Sequence, residues 1–322
     1  MGQPSIPPTP TSASVAGKTA IITGGNTGIG YEVARQLLLL KASRVIITVR
    51  STSKGQEAVA SLRKEASPTA TIEFFYLDLD DFQSGVEFAK RVRAEVPELH
   101  LLICNGGVNL MSYEASKTTS HERVMQVNCY AHFLVILELL PLLRATAVNH
   151  GEPSRLTFVG SNNQNFHTLA KNPLTDSETV IEHYDNKQTY SGLQRYADSK
   201  FVVHAFVQRL ASVVPSSELI INDPSPGLVA TKFDRGLPLW LKPIMSVLRK
   251  LMARTVDEGA RTIIYAAVVA GQETHGKFLQ NNKVDPGAPI FQEKAGQVFV
   301  ERLWKDTITE ASQYDAELQT FA

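Results

Sequence analysis

The sequence predicts one α/β domain of the Rossmann type, in which helices cover both faces of a doubly wound parallel sheet of about seven strands. Short β-rich runs alternate with helical stretches from Lys18 onwards, and several of these runs are apolar nearly throughout, as buried parallel strands are. A glycine-rich turn follows the first run and leads into a helix. Because no later linker is long enough to divide the chain, we expect a single domain over residues 18–322.

The predicted strands are short and are separated by helical segments. Six of them lie at 19–23, 44–49, 72–77, 100–104, 155–160 and 218–222. A seventh short strand is predicted at 277–280, near the end of the chain.

Composition argues against several classes of function. Thirty-two basic residues balance 32 acidic ones without a long run of either sign, so a small-molecule partner is favoured over a nucleic acid. Cys104 and Cys129 form no CxxC pattern, and buried free thiols fit an intracellular, cytoplasmic setting. The eight histidines show no ligand spacing, so we predict no metal site. No apolar run is expected to be long enough to cross a bilayer, and residues 1–17, rich in Pro, Ser and Thr, are expected to form a flexible arm.

The turn after the first strand has the pattern of a dinucleotide-binding loop. Glycines allow the backbone to approach a pyrophosphate, whose charge is met by the N–H groups at the start of the next helix. A glycine-rich helix cap is the alternative. The candidate cofactor residues of this turn are Thr23, Gly24, Asn26, Gly28 and Gly30.

The residues after the next three strands add to the predicted cofactor site. No acid follows the second strand, whereas Arg50 and Lys54 offer cations to a 2′-phosphate, so NADP(H) is predicted rather than NAD. The alternative is that both are solvated loop charges. Asp78 could accept a hydrogen bond from an adenine amino group, and Asn105-Gly106 could let the backbone pass close to the cofactor. Ordinary turn chemistry would explain these last residues equally well.

Tyr196 and Lys200 are the candidate proton-transfer pair. Residues four apart lie on one face of a helix, and an ammonium beside a phenol is expected to lower the pKa of the phenol. Such pairs also occur by chance on surface helices, so the pair gains weight only from its context.

Four motifs occur in a fixed order: the glycine-rich turn, Asn105-Gly106-Gly107, Ser161 after the fifth strand, and Tyr-x-x-x-Lys at 196–200. With them the sequence resembles the short-chain dehydrogenase/reductase family over residues 18–280. It is most similar to the longer members related to retinol dehydrogenases and to reductases of fungal secondary metabolism. The resemblance implies a nicotinamide-dependent oxidoreductase.

The same resemblance implies a role for each position. Tyr196 would protonate the carbonyl oxygen, while Lys200 would lower the pKa of Tyr196 and hold the nicotinamide ribose. Ser161 would donate to the substrate oxygen, and Asn128 would anchor a water that relays protons to Lys200. Asn128 could instead be a buried structural group, and Ser161 a turn former. The implied cofactor positions, besides Tyr196 and Lys200, are Ile29, Asp78, Leu79, Asn105, Pro226, Gly227, Val229 and Thr231.

Two positions depart from the family pattern. Gly106 stands where alanine is usual, and Gly160 stands where the catalytic serine often has a second serine before it. We expect the first change to loosen the turn without removing binding.

Three segments are expected to shape the substrate site and the surface. Residues 162–195 form a substrate loop, in which His167 is either a packed loop histidine or a substrate contact. Residues 237–252 form an amphipathic lid, with association to a membrane surface as the alternative. The helix at 128–143 is apolar almost all round and needs cover, either in a homodimer, as the resemblance implies, or from the C-terminal extension at 292–322.

These observations predict an NADPH-dependent oxidoreductase that reduces a ketone or aldehyde of a bulky apolar molecule, or oxidises the alcohol. The alternatives are a dinucleotide-binding protein without redox chemistry and an isomerase or cyclase on the same fold.

Overall fold

In the described part of the chain, eight strands form one sheet in the order β3-β2-β1-β4-β5-β6-β7-β8. The computed structural model describes residues 2–230 and 252–322. Strands β1 to β7 pair in parallel, and β8 pairs with β7 in the antiparallel sense. The strands are β1 Thr19–Ile22, β2 Arg44–Val49, β3 Thr71–Tyr76, β4 Leu101–Cys104, β5 Ser154–Phe158, β6 Leu219–Ser225, β7 Lys277–Gln280 and β8 Lys283–Asp285.

Helices cover both faces of this sheet, as predicted. They are α1 Gly28–Leu39, α2 Thr52–Arg63, α3 Phe82–Glu95, α4 Arg123–His150, α5 Val180–Asp185, α6 Gly192–Val213, α7 Val256–Ile264 and α8 Lys294–Ala311. One hydrophobic core lies between the sheet and α3, α4, α6 and α8. A second core lies on the other face, between the sheet and α1, α2 and α7.

Local sequence signals explain where several helices begin or end. Asp81 caps α3 by accepting from Gln83 N at 3.0 Å. Thr255 begins α7 as part of a capping box with Glu258. Gly151 ends α4 in the left-handed conformation, with φ 65°.

The predicted strands are confirmed to within a few residues, and the described residues add one short strand, β8, to the seven that the sequence indicated. Asn281 and Asn282 have φ values of 53° and 60°, so they form a tight two-residue turn between Gln280 and Lys283. That turn folds β8 back along β7. The strand is short and its side chains are largely exposed, so it lacks the apolar signal of the other strands.

Helix α4 corrects the expectation that no apolar segment could span a bilayer. Its 28 residues are long and apolar enough to do so, but 72% of its most apolar window is buried inside the domain. Phe133 of α4 stacks on Phe206 of α6, with ring centroids 3.9 Å apart. Trp304 of α8 packs on Phe206 from outside. The apolar helix is therefore covered within the chain, with the C-terminal extension contributing.

The expectation of a flexible arm over residues 1–17 needs a correction, because several of the described residues in this arm are bonded to the domain or buried against it. Ile6 and Val15 are 2% exposed. The Gln3 side chain bonds to the backbone at Leu228, and Arg254 donates to Pro4 O at 2.8 Å. Composition alone does not reveal these contacts, since their partners lie more than 200 residues away in the sequence.

Candidate active site

The predicted site residues follow strands β1, β4, β5 and β6, at the carboxyl edge of the sheet. The strand order reverses between β1 and β4, and ligands of such sheets bind in the crevice at this point. The topology therefore brings together residues that are up to about 200 positions apart.

The glycine-rich turn after β1 forms a cradle that side chains would fill. Gly24 has φ +62°, and a Cβ atom at Gly30 would lie 2.4 Å from Asn105 Nδ2 and 2.6 Å from Gly24 O. Asn105 Nδ2 donates to Thr23 O at 2.9 Å and to Gly24 O at 3.3 Å. Asn105 thus fixes the backbone of this turn at the start of α1, the place where a pyrophosphate would meet the N–H groups of the helix.

The side chain of Thr23, at the start of this turn, is completely buried. Its Oγ1 accepts from Asn105 N at 2.8 Å and from Gly106 N at 2.9 Å. It also bonds to His132 Nε2 at 2.9 Å. Burial lowers the pKa of His132 to about 3, so the ring is neutral. The Thr23 side chain therefore holds the loop after β4 in place, and the predicted cofactor contact of this residue stays a prediction.

Ser161, Tyr196 and Lys200 meet in the crevice. Ser161 follows β5, and its hydroxyl is hydrogen-bonded to the phenol of Tyr196. Tyr196 and Lys200 lie one turn apart on α6, with Lys200 Nζ 5.6 Å from the centre of the tyrosine ring. Ser161 and Tyr196 are half-buried, whereas Lys200 is 5% exposed. The arrangement offers two hydroxyl donors to one substrate oxygen.

The expected lowering of the Tyr196 pKa is not found. Burial raises the pKa of Tyr196 to about 12, and the hydrogen bond with Ser161 opposes this only in part. Lys200 Nζ donates to Val159 O at 2.7 Å, and burial lowers its own pKa to about 8. The desolvation of both groups outweighs their mutual influence. Tyr196 therefore holds its proton at neutral pH.

Asn128 links two segments of the site through a side chain that is wholly buried and fully hydrogen-bonded. Asn128 Oδ1 accepts from Val108 N at 2.8 Å, and Nδ2 donates to Val108 O at 3.0 Å and to Ser199 Oγ at 3.1 Å. Asn128 lies in a π-helical turn of α4, a distortion common at functional sites. It ties the segment after β4 to the helix that carries Tyr196. Its predicted water-anchoring role stays a prediction.

The edge of the crevice after β2 and β3 holds exposed cations. Arg50 is 58% exposed, and its Nη1 lies 3.8 Å from Asp78 Oδ1. Lys54 is exposed in the first turn of α2, four positions further on. Leu79 explains the departure at Gly106, because a Cβ atom there would lie 2.6 Å from Leu79 Cδ1.

The segment 226–230 follows β6 and is held from the N-terminal arm. Gln3 Nε2 donates to Leu228 O at 2.8 Å, and Gln3 Oε1 accepts from Leu228 N at 2.9 Å. Arg254 donates to Pro226 O at 3.0 Å. These bonds do not use the N–H or C=O of Val229, the position expected to meet a carboxamide. Thr231 and the predicted lid at 237–252, except for Met252, lie outside the described residues.

The predicted substrate loop is anchored by a buried charge network that the sequence did not indicate. Arg195, beside Tyr196, is 2% exposed and donates to Tyr184 O at 2.6 Å. His121 lies between Asp185 and Glu310, at 2.8 and 3.3 Å. Burial opposes the charge on His121, but the hydrogen bonds to these carboxylates outweigh it and raise its pKa to about 9. A single sequence carries no signal for such tertiary pairs.

His167 is packed in the loop. Its ring stacks on Phe201, with centroids 4.2 Å apart and planes 20° from parallel. Burial lowers the pKa of His167. These contacts favour the first of the two interpretations, a packed histidine.

One group of possible metal ligands occurs in the part of the chain that the structure describes: Glu98, His100 and His150. His100 Nδ1 accepts from Thr19 N at 3.2 Å, so the neutral ring carries its hydrogen on Nε2. That nitrogen then has no lone pair for a metal. The group borders the amino ends of β1 and β4, at the edge opposite the crevice.

Comparison with known proteins agrees with the fold and with the motifs. Residues 18–170 match the family model described as short chain dehydrogenase. The chain is 56% identical over 297 residues to the short chain dehydrogenase sor7 of Hypocrea jecorina, covering 90% of this chain and 82% of that protein. It is 38% identical over 316 residues to the short-chain dehydrogenase/reductase tropG of Talaromyces stipitatus, covering 97% and 96%.

Solved structures support the same fold. The Pseudomonas aeruginosa RhlG/NADP active-site complex aligns with a TM-score of 0.64 at 23% identity, covering 83% of this chain and 95% of that chain. A short chain dehydrogenase from Shigella flexneri complexed with NADP aligns with a TM-score of 0.62 at 20% identity, covering 85% and 100%. The motifs, the fold and the extended similarity to sor7 and tropG together confirm the family prediction: the chain belongs to the short-chain dehydrogenase/reductase family.

Proposed function

We propose that this oxidoreductase uses NADP(H) to reduce a ketone or aldehyde on a bulky apolar molecule, or to oxidise the corresponding alcohol. The observation that carries the proposal is the hydrogen-bonded Ser161–Tyr196 pair above Lys200, at the crevice that also holds the glycine cradle.

The side chains fit the roles of proton donor and oxyanion partner. A phenol with a pKa of about 12 is protonated at neutral pH, which is the form that a general acid needs. The Ser161 hydroxyl beside it can donate to the same substrate oxygen and so stabilise the negative charge that develops there. Lys200 holds a positive charge below the two hydroxyls and favours the transfer of the phenolic proton. Bound NADPH would supply the hydride.

Arg50 and Lys54 support the choice of NADP over NAD. Both are exposed beside the start of α2, where the ribose of a bound dinucleotide would lie, and Ser51 and Ser53 add hydroxyl donors. Arg50 forms an ion pair with Asp78 at 3.8 Å, yet its side chain is 58% exposed, so the guanidinium is accessible to a phosphate. The structural neighbours solved with NADP agree with this choice.

An apolar substrate fits the exposed residues beside the catalytic pair. Phe166, five residues after Ser161, is 65% exposed, and Leu193, one turn before Tyr196, is 73% exposed. Large exposed apolar side chains so close in the chain to Ser161 and Tyr196 suit an apolar ligand. The similarity to fungal short chain dehydrogenases favours a role in secondary metabolism. A cytoplasmic setting and a homodimer stay predictions, and the helix that suggested the dimer is covered within the chain.

The test is a screen of the purified protein against apolar ketones, aldehydes and polyketide-like carbonyl compounds, followed at the NADPH absorbance and by product analysis. Tyr196→Phe is expected to lower turnover at least 100-fold while NADPH affinity stays within about threefold. Full activity of this variant would refute the assigned role. Product formed without loss of NADPH absorbance would favour an isomerase or cyclase instead.

Cofactor choice is tested separately with Arg50→Asp. We expect this variant to bind NADPH at least tenfold more weakly and NADH about as well as before. Lys64→Asp, on the exposed end of α2, is the matched control and should leave both affinities unchanged. Equal binding of NADPH and NADH by the unmodified protein would overturn the choice of NADP.

A further inference from the structure

A buried carboxylate lies beneath the catalytic residues and has no part in the function proposed above. Asp223 of β6 is fully buried, and its Oδ1 accepts from His204 Nδ1 at 2.8 Å. Asp223 Oδ2 is also buried, and no described residue forms a hydrogen bond with it. One oxygen of this carboxylate is thus held by His204, whereas the other is buried without a hydrogen bond; burial raises the pKa of Asp223, and the charge and hydrogen bond of His204 oppose this rise.

Asp223 Oδ2 and the Lys200 ammonium both lie close to the residues that end β5. Lys200 and His204 are one turn apart on α6, and Lys200 Nζ donates to Val159 O at 2.7 Å. A Cβ atom at the next residue, Gly160, would lie 3.0 Å from Asp223 Oδ2. The ammonium and the free carboxylate oxygen therefore adjoin the same Val159–Gly160 peptide.

Other ionisable groups near Lys200 are neutral at working pH or already paired. Burial raises the pKa of the Cys129 thiol, lowers the pKa of His132 to about 3 and raises that of Tyr196 to about 12. His204 is bonded to Asp223. Among the described groups that act electrostatically on Lys200, Asp223 is the one carboxylate. A buried ammonium needs such a partner, because burial without one strongly favours the neutral amine.

We propose that Asp223, held by His204, is the buried counter-charge of Lys200: a positioning residue that keeps the lysine protonated and directed at the Val159 carbonyl. Gly160 is then the residue that leaves room for this carboxylate, which explains why a second serine does not precede Ser161. Only the catalytic consequence of this inference rests on the proposed function.

The direct test follows the titration of Lys200 itself by NMR of protein labelled with 13C at the lysine ε-carbons. Lys200→Arg identifies the resonance by its loss. In Asp223→Asn, which keeps the hydrogen bond from His204 but removes the charge, we expect the midpoint of Lys200 to fall by about one unit. Asp176→Asn, which changes an exposed loop carboxylate, should leave the midpoint unchanged.

Two further variants keep the test decisive. Asp223→Ala removes the charge without burying an amide and is the substitute if Asp223→Asn does not fold. We expect the same downward shift of the Lys200 midpoint in this variant. Asp223→Glu retains the charge and should hold the midpoint nearer the wild-type value. An unchanged midpoint in either folded neutral variant would overturn the proposal.

Activity supplies a second readout that a merely structural role would not produce. With the midpoint moved from about 8 to about 7, we expect Asp223→Asn to turn over at close to the wild-type rate at pH 6 and about fivefold more slowly at pH 8. An equal loss at both pH values would contradict the proposal. A shifted midpoint in a protein that never oxidises NADPH would uphold the counter-charge and reject the proposed function.

Discussion

Replacing Thr23 with valine removes one hydroxyl and leaves three polar groups without their partner. Asn105 N–H, Gly106 N–H and the wholly buried Nε2 of His132 all bond to Thr23 Oγ1 within 2.9 Å. An unmade buried hydrogen bond costs about 1–3 kcal/mol, and the two half-buried N–H groups lie at the low end of that range. We therefore expect Thr23→Val to lower the free energy of unfolding by about 3 kcal/mol, which most domains survive.

Urea denaturation at pH 7 measures the stability loss, and NADPH titration measures the effect on the cradle. Since the loop after β4 loses two backbone anchors, dinucleotide affinity should fall about tenfold, equivalent to about 1.4 kcal/mol. Thr23→Ser keeps the hydroxyl and is the matched control, with a loss below about 1 kcal/mol and unchanged affinity. A valine variant as stable as the serine variant would refute the role given to this hydroxyl.

Three further predictions concern other parts of the molecule. The charge on His121 contributes its full stabilisation below pH ~6.5, and this contribution is lost as pH rises through about 9. The free energy of unfolding, measured by urea denaturation across this pH range, should therefore fall by up to about 3 kcal/mol. The His121→Gln variant should lack this fall. Gln3→Ala removes the bonds that hold the segment 226–230 and should weaken NADPH binding several-fold in calorimetry. Ser5→Ala changes an exposed residue of the same arm and should leave the affinity unchanged. Equal affinities of the two variants would show that the arm does not support cofactor binding. Gly30→Ala places a Cβ atom 2.4 Å from Asn105 Nδ2 and should abolish NADPH fluorescence enhancement in a folded protein, so retained binding would contradict the cradle.

The sequence predicted the parallel sheet well because buried strands and amphipathic helices are recorded in local apolar patterns. The β8 hairpin lacked such a pattern, yet Asn281-Asn282 is a turn signal that could have indicated it. The contacts of Gln3, unlike the β8 hairpin, have no local sequence signal. They depend on a backbone segment more than 200 residues away, and nothing in the local composition encodes them.

The candidate site likewise has features that the local sequence shows and features that depend on tertiary contacts. Tyr196 and Lys200 were found from residue type and spacing and Ser161 from the family resemblance, and the structure brings the three together. The pKa of Tyr196 was predicted in the wrong direction because a sequence does not show how deeply a side chain is desolvated. The departure at Gly160 was visible in the sequence, but its explanation required the position of Asp223 on the neighbouring strand.

Transfer of deuterium from [4,4-2H2]NADPH, which carries label at both C4 positions, to the carbinol carbon of a reduced substrate tests the central claim most directly. Mass spectrometry should find the label in product made by the unmodified protein, and should find at least 100-fold less labelled product with Tyr196→Phe, whose NADPH binding persists. Unlabelled product from the unmodified protein, or equal labelling by both proteins, would contradict the account.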